Sequence, residues 1–235
     1  TCHPRFSEVV GAILHLEYQQ GGDYAVDLIE AYLSLRTGPG SPLRLSGKVG
    51  IFYPQISLEH DEFGWTTYHS ITPSAINTWI GEEIKVGGIE GTLRQSIGSG
   101  DLSFTASAFG FNDTAGTLMA FRGWALHDEE ATVFGTFPIP DNAPGRMAIF
   151  SWQDNWTKSF LEVDERVGFY GQLRYDTDDA FSPSVFHYDN AGDRLAVDGK
   201  QWGWETRFTN VGAGMSPAPG ARLLAQYLTG ETKSG

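Results

Sequence analysis

The chain has 235 residues, of which 40% are hydrophobic, 13% aromatic and 19% charged, and its formal net charge is −13 at pH 7. This composition predicts a folded protein, and the negative charge argues against nucleic acid as a partner. The single cysteine, Cys2, excludes a disulfide framework and a cysteine zinc site.

Apolar and polar residues alternate with a period of two in about nine segments, and this period predicts β-strands. In chain order the segments are 8–19, 24–36, 43–53, 84–95, 101–111, 164–175, 183–190, 200–214 and 221–230. In 24–36, for example, Ile29, Ala31, Leu33 and Leu35 share one face. Glu30, Tyr32, Ser34 and Arg36 share the other. The sequence therefore predicts an all-β fold.

The connections between these segments alternate in length. Those at 37–42, 96–100, 176–182 and 217–220 are short and rich in turn residues, whereas 54–83, 112–163 and 190–199 are long. Such alternation predicts an antiparallel meander with tight turns at one rim and long loops at the other. Within 54–83, Thr72-Pro73-Ser74 is a start signal for one short helical turn.

The apolar faces need a cover, and no run of about 18 apolar residues provides a transmembrane helix. No long amphipathic helix is predicted either, so these faces meet each other in a sandwich or meet lipid outside a barrel. The polar faces are rich in Gly, Ser, Thr, Tyr, Gln and Arg, as in an aqueous lumen. The pattern favours part of a transmembrane β-barrel, with the sandwich as the alternative.

Three segments carry a resemblance to a known family: Gly50-Ile51-Phe52-Tyr53-Pro54, 29–36 and Phe186-His187-Tyr188-Asp189-Asn190. They resemble porin-like outer-membrane proteins of Gram-negative bacteria, in the broad neighbourhood of the phosphate-selective porins. The resemblance implies an antiparallel outer-membrane barrel, in contact with lipid, that passes small hydrophilic solutes. An oligomer is compatible with it.

Two features depart from that family. Few lysines fall inside candidate strands, Lys48 and Lys85 among them, so the lysine-rich path of phosphate-selective members is missing and phosphate is not the expected solute. The chain also ends at Lys233-Ser234-Gly235 without a terminal aromatic residue. We therefore expect residues 1–235 to be a single barrel region truncated at its C-terminus, and the start at Thr1 is compatible with truncation at the N-terminus too.

No catalytic motif is present, and we expect neither an enzyme, a cofactor nor a metal site. The adjacent carboxylates Asp61-Glu62 and Glu82-Glu83 point to opposite sides of an extended chain and do not form an acid/base pair. The alternative function is that of a secreted β-sandwich that binds or cleaves carbohydrate. Four tryptophans are compatible with sugar stacking in such a protein: Trp152, Trp156, Trp202 and Trp204. Barrels also place tryptophan at the membrane interface.

The candidate site is a set of cations assigned to the polar, lumen-lining faces: Arg36, Arg44, Lys48, Arg94, Arg166, Arg174, Arg207 and Arg222. They face four acids, Glu17, Glu30, Glu90 and Glu205, so the wall is expected to be cationic and weakly anion-selective. Pairing of the arginines with neighbouring carboxylates is the competing interpretation. In loop 112–163, Trp152, Asp154 and Trp156 mark either a constriction inside the pore or an external cap.

Overall fold

The computed structural model describes residues 10–18, 23–37, 43–60, 73–81, 83–121, 131–139, 152–177, 181–218 and 220–235. Cys2, Asp61, Glu62 and Glu82 lie outside these ranges. The described chain is mostly β-strand, which confirms the all-β prediction. None of the helices in these ranges is long and apolar enough to cross a membrane.

The main sheet has nine strands, and each overlaps one predicted segment. They are β1 (Val10–Tyr18), β2 (Val26–Arg36), β3 (Leu43–Phe52), β4 (Val86–Ile97), β5 (Gly100–Gly110), β8 (Gly168–Thr177), β9 (Phe181–Asp189), β12 (Glu205–Ala218) and β13 (Ala221–Lys233). Neighbours in this order are hydrogen-bonded and antiparallel. The predicted meander is therefore confirmed.

The remaining elements lie in the long connections. Two small pairs are β6 (Phe137–Pro138) with β7 (Trp156–Thr157), and β10 (Val197–Asp198) with β11 (Gln201–Trp202). A π-helical turn spans Ile76–Gly81, within the region where a helical turn was predicted, and α1 spans Ala115–Phe121. Because strand direction alternates, the three long connections, after β3, β5 and β9, lie at one rim. The connections after β2, β4, β8 and β12 form the short-turn rim.

The face prediction was wrong at Ile29. In the pairing of β1 with β2, His15 lies opposite Glu30 and the next residue, Leu16, lies opposite Leu28, so Ile29 is the extra residue of a β-bulge. A bulge shifts the alternation by one residue. Ile29 is consequently fully buried, whereas Leu33 and Leu35 of the same strand are exposed, as expected.

One face of the sheet carries a continuous row of exposed apolar side chains. Cross-strand pairing places one residue from each of seven neighbouring strands in this apolar row: Leu45, Leu93, Phe104, Leu173, Val185, Val211 and Tyr227. Their side chains are between 39% and 69% exposed. Among the described residues, nothing covers this face as a second sheet does in a sandwich.

The opposite face holds the core. Phe109, Tyr188 and Phe208 stack in series, with ring centroids 5.0 and 4.9 Å apart. Tyr170 and Phe186 pack beside them at 5.3 Å. All five rings lie at the long-loop end of their strands and are buried by the long connections. The long-loop half of this face is therefore filled by side chains.

Residues 53–58, which we call the strap, connect β3 to the far edge of the sheet, and they can do so only because the sheet curls around this core. The strap follows β3 directly, and the main chain of Leu58 donates a hydrogen bond to Gln226 of β13. In a flat sheet, the six strand intervals from β3 to β13 span about 29 Å. Six residues of chain reach at most about 22 Å. The core face is therefore concave, and we call it the inner face and the apolar row's face the outer face.

Candidate functional site: the inner wall

Three arginines line up across the inner face near the short-turn rim. Arg44 of β3 lies opposite Arg94 of β4. Arg94 lies opposite Ser103 of β5, and Ser103 lies opposite Arg174 of β8. Like charges directly opposite each other are unfavourable in a sheet unless other groups compensate. This arginine row therefore needs partners.

Two aspartates supply much of that compensation. Asp101 and Asp176 lie opposite each other on β5 and β8, two residues closer to the short-turn rim than Ser103 and Arg174. Arg44 Nη2 is 2.5 Å from Asp101 Oδ2, and Arg174 Nε is 2.7 Å from Asp176 Oδ1. Arg94 Nε instead donates a hydrogen bond to Ser103 Oγ at 3.0 Å. The wall thus carries a row of guanidinium groups beside a row of carboxylates.

A further pair lies deeper in the wall. Lys48 Nζ is 3.4 Å from Glu90 Oε1 and lies over the rings of Tyr32 and Phe52, 5.5 Å from each centroid. Glu90 is buried and also accepts a hydrogen bond from the Tyr170 hydroxyl. The carboxylate connects the charged half of the wall to the aromatic core.

The structure places six of the eight predicted cations on the inner face: Arg36, Arg44, Lys48, Arg94, Arg174 and Arg222. Arg166 precedes β8 in the long-loop region and pairs with Asp193 at 2.9 Å. Arg207 lies on the outer face, opposite Asp189 and Glu231, and bonds to Glu231. The lumen assignment of Arg207 was wrong, because Phe208 rather than Arg207 is the inward-facing, buried residue.

The inner wall of the described strands also carries six acids: Glu17, Asp27, Glu30, Glu90, Asp101 and Asp176. The sequence-based count omitted three of them, Asp27, Asp101 and Asp176, and placed Glu205 on this face, although Glu205 shares the outer face with Arg207. Cations and acids are therefore equal in number on this wall. The cations concentrate towards the short-turn rim, where five arginines accompany two aspartates.

The strap crosses this wall through side-chain hydrogen bonds to its main chain. Gln172 Nε2 donates to Gln55 O at 3.0 Å, and Asn210 Nδ2 donates to Ile56 O at 2.8 Å. Gln226 Oε1 accepts from Leu58 N at 2.8 Å and from Asn210 Nδ2 at 3.2 Å. We call Gln172, Asn210 and Gln226 the amide anchors. Sequence reasoning missed them, because amides on three separate strands form no motif.

The near end of the strap is fixed by other contacts. Tyr53 N donates to Glu30 Oε1 at 3.0 Å, and the Tyr53 hydroxyl donates to Ala131 O at 2.8 Å. Lys85 is fully buried, with Nζ 4.7 Å from the Tyr53 ring centroid, and also donates to Ala131 O. Both ends of the strap are therefore hydrogen-bonded to opposite sides of the curled sheet.

The three residues predicted for a constriction loop lie at the long-loop rim. Asp154 N donates to Lys200 O at 3.3 Å, and Gln201 Nε2 donates to Trp156 O at 3.1 Å. Trp152 is exposed. These contacts join the segment to the connection between β9 and β12. Another part of loop 112–163 does pack on the core, because Ala115 and Met119 of α1 belong to the buried cluster.

Three carboxylates converge in the long-loop region: Asp113, Glu162 and Asp164 each offer an oxygen within 4.8 Å of the others. Burial is the main cause that raises the pKa of Asp113 to about 7, although a hydrogen bond from Val163 N acts in the opposite direction. The neighbouring carboxylates raise this pKa further. Among the described side chains, these three carboxylates lie close enough together to bind one hard cation. Asp113 Oδ2 already accepts hydrogen bonds from the main-chain N–H groups of Val163 and Asp164. Asp113 and Glu162 are 49 positions apart in the sequence, so the three carboxylates form no short motif.

No family model matches this sequence, and searches of curated proteins and of solved structures find no match either.

Proposed function

We propose that this chain belongs to a porin-like channel of the bacterial outer membrane, through which small hydrophilic solutes diffuse passively. The apolar row is the observation that supports this most. Seven neighbouring strands each expose a large apolar side chain on the outer face. A water-exposed sheet of a monomeric soluble protein rarely carries so continuous an apolar surface. Contact with lipid hydrocarbon is favourable for such an apolar surface.

The height of the apolar surface fits a membrane. On β3 the outward positions from Leu43 to Ile51 are all apolar or glycine. Eight residue steps cover about 27 Å along a strand, and a strand tilt of about 40° reduces this to roughly 21 Å. The apolar band of outer-membrane barrels is about 25 Å tall. Closure of the curled sheet into a complete barrel is part of this proposal.

The inner wall supplies the polar surface that a solute path needs. Serine, threonine and paired charges line the short-turn half, including Ser46, Thr92 and Ser184. The balance of charges along the whole wall predicts weak selectivity. The excess of arginines over aspartates near the short-turn rim favours anions locally, because fixed positive charges in a confined aqueous path attract them.

The alternative, a secreted β-sandwich that handles carbohydrate, receives less support. The described strands form one main sheet rather than two packed sheets. Of the four tryptophans proposed for sugar stacking, Trp152 is exposed at the rim, whereas Trp204 is buried and its Nε1 donates to Thr117 Oγ1. These two therefore do not share one exposed platform.

Two measurements on the protein refolded in detergent test the proposal. A lipid-facing β-barrel resists unfolding by SDS until it is boiled, so its migration on gels should change on heating. In planar bilayers it should produce discrete conductance steps. A chain that is monomeric without detergent, migrates identically with and without boiling, and gives no conductance would contradict the channel.

A further inference from the structure

We propose that the strap, residues 53–58, is a releasable plug of the inner space, and that the amide anchors Gln172, Asn210 and Gln226 are the positioning residues that hold it closed. This inference rests on the proposed channel function. It assigns the obstruction to a segment other than Trp152, Asp154 and Trp156.

The wall is shaped for the strap in two respects. The three anchors bind main-chain atoms of Gln55, Ile56 and Leu58, so they bind the extended backbone itself. At Gly212, between the anchors, the wall has no side chain. A Cβ built there would lie 2.9 Å from Leu58 Cδ1, so the glycine makes room for this leucine. If the strap left the wall, water would take its place as the hydrogen-bond partner of the anchor amides.

The two ends of the strap differ in how they are held. At the near end, Tyr53 and Ile56 are buried in the fold. From Ile56 onward, the contacts with the far wall are the hydrogen bonds of Asn210 and Gln226 and the half-buried side chain of Leu58. Ser57 and His60 are buried too, and the His60 ring packs on Tyr53 of the near end, with ring centroids 6.1 Å apart. Water replaces amide hydrogen bonds at small net cost. Local release of this end therefore requires much less than unfolding of the sheet.

The test uses a reporter on the strap itself. Ser57 is 3% exposed, and Ser57→Cys in a Cys2→Ser background places one buried thiol there. Asn210→Ala with Gln226→Ala removes two anchors. Thr209→Ala with Thr229→Ala is the matched control, because these residues lie on the outer face of the same strands. Losing two hydrogen bonds should raise the rate of maleimide labelling about tenfold or more, whereas the control should label like the parent.

A cross-link provides the opposite perturbation. The built Cβ of residue 212 lies 3.1 Å from Leu58 Cγ, within reach of a disulfide. Leu58→Cys with Gly212→Cys, again with Cys2→Ser, should form a bond on oxidation that holds the strap closed. Oxidation should then suppress conductance, and reduction should restore it. The anchor variant should conduct more than the parent.

The two readouts separate the two proposals. Unchanged labelling in an anchor variant that still shows heat-modifiable migration would overturn the plug. Conductance that is identical in the oxidised and reduced cross-linked protein would overturn it too. Faster labelling without conductance in any variant would overturn the channel function and retain the releasable strap.

Discussion

Leu173→Arg is the substitution that separates a lipid-facing outer surface from a water-facing one. Leu173 lies in the apolar row near the middle of β8, between Phe104 and Val185, and is 48% exposed. In a bilayer, an arginine at this depth faces hydrocarbon and should lower the free energy of unfolding by about 2–4 kcal/mol. In water, the same change at a half-exposed position should cost about 0.5 kcal/mol or less.

The assay is guanidinium unfolding of protein refolded into phospholipid vesicles, followed by tryptophan fluorescence. Val167→Arg is the control, because Val167 is exposed and precedes β8 at the long-loop rim, six residues from Leu173, where the expected cost is only about 0–1 kcal/mol. A loss of stability at position 173 no larger than at position 167 would refute the lipid-facing assignment.

Three further predictions concern the loops and the inner wall. Burial raises the pKa of Asp113 from 3.8 to about 7, so between these pH values the folded state binds a proton that the unfolded state releases. The free energy of unfolding should therefore fall as the pH rises from about 4 to 7, by about 1.4 kcal/mol per pH unit. Asp113→Asn should flatten this dependence in unfolding curves at several pH values. Tyr188→Phe should cost about 1–3 kcal/mol, because the Tyr188 hydroxyl donates to buried Asn112 Oδ1; Tyr175→Phe, which loses an exposed hydrogen bond to Ile97 O, should cost clearly less in the same denaturation assay. The third changes three inner-wall arginines to glutamine: Arg36, Arg94 and Arg174. Reversal potentials in a salt gradient should shift towards cations, and an unchanged permeability ratio would assign these arginines a structural role.

The strands were predictable because apolar residues at outward positions alternate with mainly polar residues at inward positions. Segment 101–111 became Gly100–Gly110, and segment 43–53 became Leu43–Phe52. Loop lengths then sufficed to order the strands and to separate the two rims. Period and turn chemistry are local properties, and they specify a meander because sequence neighbours are also spatial neighbours.

The predicted faces were wrong at positions where strand pairing, rather than the local alternation of apolar and polar residues, decides on which side of the sheet a residue lies. At Ile29, the bulge against β1 shifts the alternation, and such a shift depends on the partner strand. In β12, Phe208 is buried on the inner face while Val211 is exposed on the outer face, so hydrophobicity alone does not indicate on which side Arg207 lies. The register with β9 and β13 decides it.

The inner site was predictable only in part. The arginines were recognised, but Asp101 and Asp176 were not. Asp176 was counted with the short connection 176–182, and Asp101, the first residue of the predicted segment 101–111, was not assigned to a face. The strap was missed for a different reason: its partners Gln172, Asn210 and Gln226 are between 117 and 168 residues from the atoms they bind. Contacts of that sequence separation arise from curvature of the whole sheet.

Cysteine scanning along β8 tests whether the outer face meets lipid. Single cysteines at successive positions from Phe169 to Tyr175, in a Cys2→Ser background, can carry an environment-sensitive fluorophore in vesicles containing brominated lipid. Quenching should alternate with a period of two: strong at positions 169, 171, 173 and 175, and weak at positions 170, 172 and 174. Uniformly weak quenching at all seven positions, with the odd-numbered ones accessible to a water-soluble quencher, would show that the outer face meets water.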